Sequence, residues 1–159
     1  MFDEILKDRI EAGLKKTKKL KKYQNSNTIV LAVPRGGVPV GYVIAKNLHL
    51  PLDIVLSKKI GHPNNKEFAI GAVSSDSMII DEHPNILKKY IDSEIIRLRQ
   101  LMKHKYELYM GNRKPLDVKG KNIILVDDGI ATGNTLLASI NMLRKKNPAK
   151  IIVATPVIL

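Results

Sequence analysis

At 159 residues, 44% of them hydrophobic, the chain is long enough for one real core and short for two. It has no cysteine, which excludes disulfides and thiolate metal sites, and no apolar run approaches the roughly 18 residues of a membrane span. The net charge is +12, the N-terminus is acidic without a signal-peptide core, and a single cytoplasmic soluble domain over residues 1–159 is expected.

Residues 3–22 read as an amphipathic helix with Phe2, Ile5, Leu6, Ile10 and Leu14 as its apolar stripe. Its end carries six lysines in eight residues (Lys15, Lys16, Lys18, Lys19, Lys21 and Lys22), half of the net charge. Nucleic acid could be held by Lys15–Lys22, although a solvated helix end is the commoner role. The few aromatic residues do not support base stacking. After a polar break at 24–27, Thr28–Val33 reads as a buried strand that stops at Pro34-Arg35-Gly36-Gly37, and Val38–Leu48 as a helix. Leu52–Leu56 is a second strand leading into Ser57-Lys58-Lys59, and Gly61–Lys66 a polar loop. Ala69–Val73 and Met78–Ile80 form an edge hairpin about Ser74–Ser77. Pro84 suits a helix first turn, and Leu87, Ile91, Ile95, Leu98, Met102 and Tyr109 keep helical spacing as far as Gly111. This long helix can cover a sheet or serve a dimer contact. Asn122–Val126, Leu136–Lys146 and Ile151–Ala154 complete a strand–helix–strand series. The alternation predicts an α/β fold, a parallel sheet wrapped by helices.

The richest stretch is 123–135. Ile123-Ile124-Leu125-Val126 reads as a buried parallel strand that runs into Asp127 and Asp128. Gly129-Ile130-Ala131-Thr132-Gly133-Asn134-Thr135 follows, at the start of a helical pattern. Open α/β sheets bind ligands at the carboxyl ends of their strands. Two carboxylates can hold hydroxyl groups or a metal ion, and a loop opening a helix can turn N–H groups toward phosphate. A phosphorylated sugar needs both. Receiver domains and metal-dependent phosphatases also pair acids at a strand end, but after their first strand. The loop after 28–33 offers Arg35, a charged fork for phosphate oxygens, between a proline and two glycines that let backbone N–H groups approach a charged ligand. A switch in winding direction would make strands 28–33 and 122–126 neighbours, with both loops facing one crevice.

The string 123–135 resembles the phosphoribosyl-diphosphate (PRPP) signature of type I phosphoribosyltransferases, and Pro34-Arg35-Gly36-Gly37 resembles their pyrophosphate loop. Lys58-Lys59 stands where the adenine and orotate enzymes carry Arg-Lys before a mobile catalytic loop, here Ile60–Phe68 with Gly61, His62 and Glu67. Together with Arg9–Leu14 and Ala69–Val73, these motifs resemble a narrower bacterial and archaeal group of predicted phosphoribosyltransferases with unassigned acceptor. The resemblance implies a Rossmann-like, five-stranded parallel sheet of order 3-2-1-4-5, flanked by helices, with a small edge hairpin and a reduced hood. The N-terminal helix would be a hood or oligomer element, and the C-terminal hood segment is expected to be absent. Asp127 and Asp128 would hold the ribose hydroxyls and, directly or through water, Mg²⁺. Residues 129–135 would wrap the 5′-phosphate, and Arg35, Gly36, Gly37, Lys58 and Lys59 would bind pyrophosphate. Asp127, Asp128, Lys59 and Arg35 would be the catalytic set, with His62 and Glu67 as candidates for proton transfer. A non-proline cis peptide is implied near Arg35. Ala131 stands where 6-oxopurine enzymes carry Asp, which argues against hypoxanthine or guanine as acceptor. The implied protein is a homodimeric transferase acting on PRPP and a nucleobase-like acceptor. The alternative is a regulator of the same fold that binds PRPP without turnover.

Overall fold

The computed structural model describes residues 2–82, 85–127 and 133–155. In chain order the elements are α1 (Phe2–Lys19), a 3-10 turn (Lys21–Tyr23), β1 (Thr28–Ala32), α2 (Gly37–Leu48), β2 (Leu52–Ile54), β3 (Ser57–His62), β4 (Asn65–Ser74), β5 (Met78–Ile80), α3 (Lys88–Met110), β6 (Asn122–Val126), α4 (Gly133–Arg144) and β7 (Lys150–Ala154). They fall into two compact units. The first takes Met1–Val55, Pro115–Thr132 and Lys146–Leu159, and the second Leu56–Lys114 and Gly133–Lys145.

The first unit is built on a parallel sheet of order β2-β1-β6-β7. Every residue of β1 is buried, as are four of the five in β6, because β-branched and leucine side chains in both strands face apolar cover on each side. Val30 aligns with Leu52 on one flank and Ile124 on the other, and Ile124 in turn with Ile152. Helix α2 lays Val40, Ile44 and Leu48 into the core at helical spacing. Full burial of each such side chain is worth about 1.5–3 kcal/mol. The helix ends at His49, a left-handed residue (φ 55°) whose N–H donates to the Ala45 carbonyl. Gly13 lets α1 approach α2, since a β-carbon there would lie 2.8 Å from Val43 Cβ.

The second unit carries an antiparallel sheet of order β3-β4-β5. Ile60, Ile70 and Val73 from this sheet pack with Ile95, Leu98 and Met102 of α3. Here the structure corrects two expectations. The described parallel sheet has four strands where five were expected, while Ala69–Val73 and Met78–Ile80 form the expected edge hairpin within β4 and β5, and β4 also pairs antiparallel with β3. A connection of only Pro63 and Asn64 between β3 and β4 dictates that direction, since a parallel partner would need a crossover. The expected loop over 60–68 is instead the β3–β4 hairpin. Ser57–His62 was hard to read as a strand because its burial does not alternate and two lysines occupy its middle. Pro84 lies outside the described residues.

Candidate functional site

In the first unit, β1 and β6 are adjacent and parallel, so the chain segments after Ala32 and after Val126 emerge side by side. The Val33 N–H donates to the Val126 carbonyl at 2.8 Å, extending the pairing one residue past β1. The chain then turns through Pro34-Arg35-Gly36 into α2, with the Gly37 N–H on the Val33 carbonyl at 3.0 Å and the Val38 N–H on that of Arg35 at 3.2 Å. The Pro34–Arg35 peptide is cis, as the resemblance implied. A β-carbon on Gly37 would come within 2.5 Å of the Val126 carbonyl oxygen and 3.4 Å of Asp127 Cα. This loop therefore lies directly on the segment that carries the first acid. Arg35 is exposed, whereas Gly36 and Gly37 are buried.

Asp127 is 4% exposed at the carboxyl end of β6, where its N–H donates to the Ala154 carbonyl at 3.3 Å. Asp128, Gly129, Ile130, Ala131 and Thr132 lie outside the described residues, and Gly133, Asn134 and Thr135 begin α4. Sequence reasoning thus brought Arg35, Gly36, Gly37 and Asp127 correctly to one end of one sheet. Carboxylate oxygens of the kind Asp127 and Asp128 supply suit Mg²⁺, which keeps most of its waters and takes one or two carboxylates beside phosphate oxygens. Among the described residues no group of three or more His, Asp or Glu is placed to hold a metal ion.

In the second unit, Lys58 and Lys59 are exposed on β3. The Lys59 ammonium stands 3.4 Å from Glu67 Oε2 and also 3.4 Å from the Glu67 carbonyl across the hairpin. Both side chains are well exposed, 53% and 91%, so the pair is weakly held and easily exchanged for another anion. His62 has a turn-forming role: its Nδ1 accepts the Asn64 N–H at 3.0 Å and its ring meets Phe68 edge-on. The hairpin tip is anchored from α3 by Tyr90, which the sequence reading missed. The Tyr90 hydroxyl donates to the Gly61 carbonyl at 2.5 Å and receives the Lys66 ammonium at 3.3 Å. The one hint was a tyrosine beside Ile91 at the start of the helix.

Asp53 was also missed. It is 2% exposed in β2 and accepts the Ile54 N–H at 2.8 Å and the Leu116 N–H at 2.9 Å. An acid inside a buried strand was the available signal, and its role is to tie the 115–121 connection to the sheet.

The model of the phosphoribosyl transferase domain family matches residues 3–157. A Mycobacterium tuberculosis protein provisionally named a phosphoribosyl transferase is 30% identical over 159 residues, covering 97% of this chain and 36% of its own length. The chain thus spans about a third of that relative. The crystal structure of TT1426 from Thermus thermophilus superposes with a TM-score of 0.77 at 33% identity, over 93% of this chain and 73% of that one. The purine phosphoribosyltransferase of Pyrococcus horikoshii shares the fold, with a TM-score of 0.54 at 19% identity over 91% and 69% of the two chains. With the family's domain matched over almost its whole length, this chain belongs to the type I phosphoribosyltransferase family.

Proposed function

We propose that the protein is a PRPP-dependent phosphoribosyltransferase that moves phosphoribosyl to a nitrogenous base other than a 6-oxopurine and releases pyrophosphate. The observation that carries this reading is the closeness of the loop after β1 to the carboxyl end of β6. The backbone around Gly37 rests on Val126 and Asp127, which supports a shared anion and sugar site. Asp127 and Asp128 would hold the ribose 2′- and 3′-hydroxyls, residues 129–135 the 5′-phosphate, and Arg35, Gly36, Gly37, Lys58 and Lys59 the pyrophosphate. The base nitrogen would attack the anomeric carbon as the C–O bond to pyrophosphate breaks, giving a transition state of oxocarbenium character. The protein's part is positioning and charge neutralisation on the leaving group. Magnesium, held by Asp127 and Asp128 directly or through water, would supply charge that stabilises the departing pyrophosphate. Closure of the hairpin over 60–68 would exclude water and suppress PRPP hydrolysis. The same reading makes the protein a cytoplasmic homodimer, with α1 as a hood or subunit contact.

The test is titration calorimetry with PRPP and Mg²⁺. Asp127→Asn/Asp128→Asn should weaken binding by about a hundredfold, or roughly 2.7 kcal/mol. Binding equal to wild type would overturn the site. A second reading, a regulator that binds PRPP without turnover, draws on Lys58, which stands where an arginine fork would be and is exposed on β3. A panel of bases separates the two: PRPP binding without pyrophosphate release on any base favours the regulator.

A further inference from the structure

Three separate stretches of the first unit bring lysines to the end of the parallel sheet where its strands begin. Lys18 and Lys19 close α1, and Lys21 and Lys22 lie on the 3-10 turn before β1. Lys121 precedes β6, where its carbonyl accepts the Ala149 N–H at 2.9 Å, and Lys150 opens β7 in register with Asn122. The first and third of these stretches meet at Tyr23, only 8% exposed. The Lys22 ammonium lies 5.3 Å from its ring centroid and the Lys150 ammonium 5.8 Å, so the two charges are no more than about 11 Å apart. That is comparable with the screening length of about 8 Å at physiological salt, so their potentials add at the surface. The Tyr23 phenol reports this field: it is held below its ordinary value, first by its hydrogen bond with Lys150 and further by the charges of Lys150 and Lys22. Lys18, Lys19, Lys21, Lys22 and Lys150 are exposed. The carboxylate of the neighbouring connection, Asp117, is turned onto the Lys119 N–H at 3.0 Å.

We propose that this end of the sheet binds the phosphate backbone of a nucleic-acid double helix. Lysines from three segments, spread along a surface, match successive phosphates better than one small anion. They supply point charges and no arginine fork, which suits contact without base readout. The aromatic ring at their centre is buried, so single-stranded bases have nothing to stack on. Leu20 and Tyr23, the large apolar residues among and beside the clustered lysines, are both buried, and the exposed apolar residues of α1, Ile10 and Leu14, precede the cluster. The binding surface is independent of the PRPP reading, because Arg35 and Asp127 lie past the opposite ends of β1 and β6.

Fluorescence anisotropy with labelled mixed-sequence DNA duplex, RNA duplex and single-stranded DNA tests this. Both duplexes, or one of them, should bind with micromolar affinity at low salt, and the affinity should fall roughly 10²–10³-fold between about 50 and 200 mM salt. Lys18→Gln/Lys19→Gln/Lys21→Gln/Lys22→Gln should lose at least about tenfold and flatten the salt slope, and Lys150→Gln alone should lose severalfold. The control Lys88→Gln/Lys89→Gln/Lys103→Gln/Lys114→Gln removes the same charge from exposed positions of the second unit and should leave binding within twofold. Equal losses in the two quadruple variants, binding insensitive to salt, preference for the single strand, or binding to phosphatidylserine vesicles with none to duplex would each overturn the proposal. Unchanged thermal melting of the variants separates lost contact from lost fold.

Discussion

The two ends of the parallel sheet differ in how their turns are made. At the carboxyl end, the chain leaving β1 is pressed backbone-to-backbone against the end of β6, and the fit depends on residues about ninety positions apart. At the amino end, backbone hydrogen bonds also join distant segments, the Asn122 N–H on the Asn27 carbonyl at 3.0 Å and the Gly120 N–H on that of Asn147 at 2.9 Å, but the turns themselves are set by local chemistry. The turns entering β1, β2 and β7 each contain a non-glycine residue in the left-handed region: Asn25 (φ 56°), His49 (φ 55°) and Asn147 (φ 56°). Asparagine tolerates that region, and a helix end commonly uses it. The contrast teaches where a substitution will be felt. A left-handed turn residue can be exchanged by itself, whereas a residue whose β-carbon would meet distant backbone cannot.

Substitutions can break that comparison. The largest effect on stability is expected from Asp53→Ala, which strips the acceptors from the N–H of Ile54, its neighbour in β2, and from that of Leu116, which ties the 115–121 connection to β2. At about 1–3 kcal/mol for each buried orphan, urea denaturation should show a loss of roughly 2–4 kcal/mol. A loss below 1 would mean that water satisfies both groups. Gly37→Ala tests the carboxyl end. The new β-carbon meets backbone, which cannot swing away, so an overpacking cost of about 1–3 kcal/mol is expected, together with weaker PRPP binding. His49→Gly is its counterpart at the amino end and should raise stability by about 0.5 kcal/mol while leaving PRPP binding unchanged. If His49→Gly cost more than Gly37→Ala, the contrast between the ends would fail.

Glu94 gives the smallest effect and lies outside both ends. Its carboxyl is held below its ordinary value of 4.5, first by the hydrogen bond from Arg97 and also by the charges of Arg97 and Lys66, against the opposing effect of burial. The Arg97 guanidinium contacts it at 2.8 Å. A depressed carboxyl contributes stability that is fully present above the unfolded value and is lost as pH falls through the folded one. Glu94→Gln should therefore cost about 0.5 kcal/mol or less at pH 7. Its melting temperature should converge with that of wild type as pH drops below about 4, and a gap that widened in acid would contradict the pair.

The sequence was legible wherever one short segment carried its own signal. Asn122–Val126 could be placed because a run of apolar residues has no other stable home than between two covered faces, and the Asp127 position follows from where that run ends. Arg35 could be placed because proline and two glycines punctuate the chain around it. The β3–β4 hairpin was not legible. Of the six residues in β3 only Ile60 and Gly61 are buried, so the strand exists through its ladder with β4 and its packing beneath α3, neither of which leaves a periodic mark. The basic end shows a third case. Six of its lysines were plain as a run, but Lys121 and Lys150 join them only through strand register.

Gly37 also bears on how such a chain would drift under selection. Its lack of a side chain is required by the carbonyl of Val126, not by any ligand. A descendant that abandoned chemistry but kept the fold would still be held to glycine there. Arg35, whose side chain is exposed and whose proposed task is to hold an anion, would be released to vary. In collections of related chains, the pairing of an unchanging glycine with a wandering arginine two positions earlier would mark the lineages that have stopped turning over substrate.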